Sequence, residues 1–154
     1  MVLFFLIFTT GISSASDGSP SAKIKVSSIA GSIEKVKEKI TLFLKFKEQD
    51  KADYYQYLAE KRLAEEQYVI ESNQIDLVEE TASRYSTYVG ILVNYIISNK
   101  LVDKKESTLK MLEEDEKVID RLQNKFDYFS GWWIAIEHDK NTIKIFSQKL
   151  KDLN

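Results

Sequence analysis

The chain has 154 residues, with 22 Lys+Arg against 24 Asp+Glu, one His and no Cys. That length holds one domain, the lack of Cys removes disulfides, thiolate metal sites and cysteine nucleophiles, and a net charge of −2 lacks the basic surplus of a nucleic-acid binder. At 44% apolar and 12% aromatic residues, the composition is too rich for a disordered chain.

The chain opens on an unbroken apolar run, Val2 to Phe8, followed by small residues through Ser16. This pattern predicts a secretory signal over residues 1–16, with Ser13 and Ala15 or Ser14 and Ser16 before the cut. The run is too short to cross a bilayer core, which needs about 20 apolar residues. No Lys or Arg precedes Lys23, so the usual basic start is missing. An uncleaved anchor and an apolar element packed into the fold are the other readings. Export predicts an extracytoplasmic location, whether secreted, periplasmic or at the cell surface. Residues 17–27 read as a polar, Ser-rich linker, and 28–154 as the folded domain.

From Ser32 onward there is no Pro and only Gly90 and Gly131, which favours long helices over strands with frequent turns. Ile33, Val36, Ile40 and Phe43 or Leu44 predict a first helix near 28–47. Asp50 and Asp53 resemble a cap for a second helix over 50–72, and Asn73 can end it in a left-handed conformation or start the next, with Asp76 at its third position. In the third helix Val78, Ala82, Tyr85, Val89, Leu92 and Ile96 form a heptad-like seam, so this helix is expected to be the most buried. Gly90 inside it suggests a close neighbour. Asp103-Lys104-Lys105-Glu106 reads as a capping box opening a fourth helix, whose apolar face runs from Leu109 to Phe126 and Phe129. Ser130-Gly131 should interrupt it. Residues 132–151 fit a fifth helix, with a hairpin around Asp139-Lys140-Asn141 as the alternative. The expected architecture is all-α, an antiparallel bundle of four to five helices behind the signal segment.

The second helix carries Leu58-Ala59-Glu60-Lys61-Arg62-Leu63-Ala64-Glu65, preceded by Glu38-Lys39-Ile40 and Lys51-Ala52. This order resembles an uncharacterised bacterial domain of unknown function found in exported proteins, over roughly residues 28–97. The fourth helix and the Trp-Trp segment lie outside that likeness. The resemblance implies an extracytoplasmic helical bundle and no activity. Read from the residues alone, Leu58, Ala59, Leu63 and Ala64 form a close-packed seam. Arg62 with Glu66, and Lys61 with Glu65, can pair across one turn. A partner or ion at Glu60, Arg62 and Glu65 is the functional alternative.

Little else points to chemistry. His138 is the single imidazole, has no His or Cys at ligand spacing, and reads as a surface residue. Glu113-Glu114-Asp115-Glu116 spreads around a helix and reads as a solvated face rather than an ion site. No phosphate loop, nucleophile elbow or triad spacing is present. The expectation is therefore no enzyme, no cofactor and no metal, with a small metal-dependent hydrolase as a distant alternative. Trp132 and Trp133, beside Tyr128 and Phe129, form the densest aromatic cluster. They either cap the core or anchor a protein partner, a glycan or a membrane surface, since rigid aromatics suit hot spots. Self-association through the Val78–Ile96 seam is the competing reading. No nucleic-acid partner is expected.

Overall fold

The computed structural model describes residues 20–154. The expected signal segment, residues 1–16, lies outside them. Five α-helices follow in order: α1 Ser32–Phe43, α2 Glu48–Glu71, α3 Val78–Ser98, α4 Lys105–Gln123 and α5 Gly131–Lys151. No strand occurs among the described residues, and the hairpin alternative for 132–151 gives way to helix α5.

Helices α2 to α5 form the bundle. Around the ring, α2 packs on α3, α3 on α5, α5 on α4, and α4 more sparsely on α2. Contacts at the ends fix the directions. Lys104, just before α4, reaches Asp53 near the start of α2, while Arg121 near the end of α4 reaches Glu71 at the end of α2. So α2 and α4 are parallel, and the Lys105 ammonium donates to the carbonyls of Lys151 and Leu153 at 2.7 and 2.9 Å, which sets α5 antiparallel to α4. The short link from α3 to α4 therefore crosses the bundle diagonal. Sequence neighbours are antiparallel, as expected, but α3 and α5 are spatial neighbours running the same way.

The seam on α3 is core throughout. Val78, Ala82, Tyr85, Val89, Leu92 and Ile96 are all buried, against Leu63, Met111, Leu112, Ile119, Leu122, Ile136 and Leu150 from the other helices. Self-association through that seam is thereby corrected: its atoms already have partners inside the monomer. Gly90 has the close neighbour its position suggested, since a Cβ there would sit 3.1 Å from Cζ of Phe146 on α5.

Several helix ends depart from expectation. α2 starts at Glu48 with Lys47 in the capping position and no side-chain cap, so Asp50 and Asp53 lie inside the helix. A 3-10 turn, Val102–Lys104, precedes α4, and Asp103 makes no cap bond. α4 ends at Gln123, which leaves Phe126 and Phe129 in the following link. Asn73 does adopt the left-handed conformation, at φ 58. Ser130 caps α5 by accepting from the Trp133 amide at 3.2 Å.

Two N-terminal segments lie on the outside of α2. Residues 20–30 have neither helix nor strand, yet they are no free linker. The Ala22 amide donates to Gln67 at 2.7 Å, Lys23 pairs with Glu114 at 2.8 Å on α4, and Arg121 donates to the Pro20 carbonyl. This strap spans α2 and α4 along the sparse side of the ring. α1 then runs antiparallel to α2, held by Glu34 and Glu38 to Lys61, and by Lys45 over the Tyr54 ring at 5.3 Å. The apolar stripe predicted to bury α1 faces outward instead: Ile33, Val36, Ile40, Phe43 and Leu44 are exposed.

Candidate functional site

Covered by α3 and α4 inside and by α1 and the strap outside, α2 is enclosed through its middle turns, and it shares with α3 the most buried place in the bundle. From Leu58 to Glu66 every residue except Glu60 is buried. The motif that suggested a seam is thus two things. Leu58, Ala59, Leu63 and Ala64 are core, and Ala59 and Ala64 admit close backbones. Lys61, Arg62 and Glu65 are the centre of an ion network that the sequence spacing misplaced.

Arg62 does not pair with Glu66. One of its terminal nitrogens bonds Glu38 on α1, the other bonds Glu65 one turn on at 2.5 Å, and the guanidinium stacks on the Tyr88 ring at 4.8 Å. Lys61 turns to Glu38 at 2.8 Å and to Glu34 rather than to Glu65. Glu65 also pairs with Arg84 of α3 at 3.0 Å and accepts the Ala30 amide at 3.1 Å. Three cations thus meet three carboxylates, and the network closes without net charge. It ties α1, α2, α3 and the end of the strap together. Glu34 lies at its solvent edge, whereas removing Arg62 from its buried centre costs about 3–5 kcal/mol, because Glu38 and Glu65 stay buried and uncompensated. Glu60 stands apart, half-buried, with Gln56 and Lys23 as its neighbours.

Glu66 instead faces α5. Both its carboxyl oxygens and Oδ2 of Asp139 lack any other hydrogen-bond partner, and the two side chains lie within hydrogen-bonding reach of each other. Two carboxyl groups can bond only with a proton between them. Burial is the first cause pushing Asp139 up to about 8, against hydrogen bonds from Ser86 and Glu66 that lower it. Glu66 is raised by burial first and then by the charge of Asp139. The Ser86 hydroxyl donates to Asp139 at 2.5 Å and lies 2.9 Å from the Thr142 hydroxyl. A second buried acid, Asp115, accepts from the Tyr85 hydroxyl at 3.0 Å, and burial lifts it to about 7. Asp115 corrects the picture of a fully solvated 113–116 face. Only its neighbours follow it, with Glu113 paired to Lys117 at 3.0 Å in water.

His138 is exposed, with Nδ1 3.3 Å from the Ser86 hydroxyl. Serine, histidine and aspartate are therefore adjacent, which no sequence spacing announced. The order differs from a proton relay, where the carboxylate orients the imidazole. Here Asp139 binds the serine itself. Among the described residues no three acids or histidines are grouped to hold a metal ion.

The aromatic cluster sits at the end of the bundle where α4 turns into α5. Phe129 takes a left-handed φ of 62, and its ring stacks edge-on with Tyr128 at 4.3 Å. Trp133 lies beneath both, at 4.8 and 5.6 Å, while Phe126 packs on Trp132 at 5.9 Å. Phe126 is half-buried and packs against this end of the core, while Trp133 is half-buried under the two rings. Tyr128, Phe129 and Trp132 remain 72%, 64% and 40% exposed. From Trp132 a groove of about 500 Å³ runs between α3 and α5, lined by Glu79, Ser83, Ile134 and His138.

The fold and these sites define an all-helical bundle with a charge-locked central helix and an aromatic end. The chain belongs to the family described as Domain of unknown function (DUF5667), whose pattern matches residues 29–153. The match runs through α4 and α5, so the Trp-Trp segment is part of the family domain, beyond the stretch that carries the resemblance. No curated protein and no solved structure matches the chain.

Proposed function

We propose that this protein is an exported, non-enzymatic binding module of the cell envelope or surface, and that its aromatic end contacts a protein partner. The observation that carries this reading is the exposure of Tyr128, Phe129 and Trp132 on a base of packed rings. Rings already held by neighbours lose little rotamer freedom on binding, which is the property of interface hot spots. The adjoining groove with Ile134 and His138 offers an apolar floor and polar edges to a partner side chain. Export is supported by the apolar run Val2–Phe8 and the small residues that follow.

A photo-crosslinker at Phe129 of the full chain, expressed in its own cells, tests the contact. Adducts should form at 129, be absent for the same group at Lys100 on the opposite end, and disappear with Tyr128→Ala and Trp132→Ala. Equal adducts at both positions overturn the site. Recovery of the protein wholly in the cytoplasmic fraction overturns export.

A further inference from the structure

The outward face of α1 is the largest feature that neither the core nor the aromatic end explains. Ile33, Val36, Ile40, Phe43 and Leu44 form one stripe along it, and Phe46 continues the stripe into the link. Ile33, Phe43 and Phe46 are 76%, 82% and 85% exposed. At 3.6 residues per turn the stripe lies about 140° round the helix from Glu34, Glu38, Thr41 and Lys45, the residues turned toward α2. Lys35 and Lys39 border the stripe on one side and Lys37 borders it on the other.

Charge is sorted in the same way. Residues 20–47 contain seven Lys against two Glu, a net of +5, and from Glu48 to the end 15 Lys+Arg meet 21 Asp+Glu, a net of −6. The two glutamates of the basic part, Glu34 and Glu38, are engaged by Lys61 and Arg62, so they do not offset the lysines outside. The result is an exposed apolar stripe between Lys35, Lys37 and Lys39, which have no ion-pair partner among the described residues, on an otherwise acidic protein. An apolar stripe flanked by Lys is the pattern of a helix lying in the interface of an anionic bilayer. A second copy fits this face less well, because two such helices would bring their lysine rows together. None of the described helices is long and apolar enough to cross a membrane.

We propose that α1 is a docking surface for an anionic phospholipid bilayer: the helix lies flat, with Ile33, Val36, Ile40 and Phe43 in the acyl boundary and Lys35, Lys37 and Lys39 at the phosphates. The salt links of α1 to α2 hold the bundle above the surface with its acidic faces turned away. This site is separate from the aromatic end, and either can fail without the other.

The chain has no Cys, so one can be introduced for labelling. Full-length Val36→Cys and, as reference, Lys125→Cys carry an environment-sensitive fluorophore. Each is mixed with vesicles of phosphatidylcholine, or of phosphatidylcholine and phosphatidylglycerol in equal parts, containing brominated lipid as quencher. The label at 36 should shift to the blue and be quenched on the anionic vesicles alone, the label at 125 should not respond, and about 0.5 M salt should weaken the effect. Replacing Lys35, Lys37 and Lys39 together by Gln should lower partitioning about 100-fold, with the circular dichroism unchanged. Equal quenching on both vesicle types, no quenching at 36, or quenching that survives the triple replacement overturns the proposal. So does a label at 36 that is already shielded without vesicles. Shielding that grows with protein concentration assigns the face to a second copy, and shielding that does not assigns it to residues 1–19.

Discussion

Replacing Glu66 by Gln isolates the proton shared with Asp139. In the folded chain Asp139 is raised from an ordinary 3.8 to about 8, and Glu66 is raised with it. The native state therefore holds a proton that the unfolded chain releases above the ordinary carboxylate range. Stability is full below about pH 4 and falls as pH rises toward 8, by about 1.4 kcal/mol per pH unit for each proton so held. Between pH 5 and pH 7 one proton accounts for about 3 kcal/mol. In Glu66→Gln the introduced amide carries no such proton, so the part of the dependence that belongs to Glu66 is lost, while Asp139, raised first by burial, keeps its own. Urea unfolding followed by circular dichroism should show the wild-type midpoint falling from pH 5 to pH 7. The Glu66→Gln protein should lose less, so its unfolding free energy should move in its favour relative to the wild type by about 3 kcal/mol over that range. Asp139, still buried, and Asp115, raised to about 7, leave the variant a residual slope. Parallel pH profiles for the two proteins would refute the shared proton.

Arg62→Met should destabilise the fold by about 3–5 kcal/mol in thermal denaturation, since Glu38 and Glu65 are then buried without their partner, and Glu65→Gln added to it should recover part of the loss. Gly90→Val should cost about 1–3 kcal/mol, because a Cβ there already meets Phe146 at 3.1 Å, and Phe146→Leu should relieve it. Ile119→Ala, in the sealed core, should lose about 2–5 kcal/mol in urea unfolding, whereas Ile40→Ala on the exposed stripe should change stability by less than about 0.5 kcal/mol.

The helices themselves were legible because their signals are local. The heptad steps of α3, the breaker at Ser130-Gly131 and the left-handed Asn73 each depend on residues within one or two turns. The starts of α2 and α4 were misread for a related reason. Asp50 and Asp103 have capping side chains, but nearby residues can begin a helix through a 3-10 turn or an uncapped turn when tertiary packing supports it. The aromatic end was placed correctly as a cluster, and its division was not visible. Trp132 and Trp133 are adjacent in the chain, yet one is more exposed and the other lies beneath Tyr128 and Phe129.

The charged part of the motif shows where local reasoning stops. Arg62 and Glu66 are spaced for an i,i+4 pair, and such a pair in water is worth about 0.3–0.5 kcal/mol. Arg62 is instead held by Glu38, 24 residues earlier, and Glu66 meets Asp139 across the bundle.

From the sequence alone follow the helical class, a count of four to five helices, most of their extents, the α3 seam and the aromatic cluster. Each rests on periodicity, breakers or composition within a single segment. The tertiary structure decided which faces are covered. The stripe on α1 has the same spacing as the seam on α3, yet one faces water and the other the core. The α2 helix shows no clean stripe because its middle turns, Leu58 to Glu66, are covered on nearly every side. A helix's own sequence states that it has an apolar face. Only the segments packed around it determine what that face meets, and whether a charge is solvated, paired or protonated.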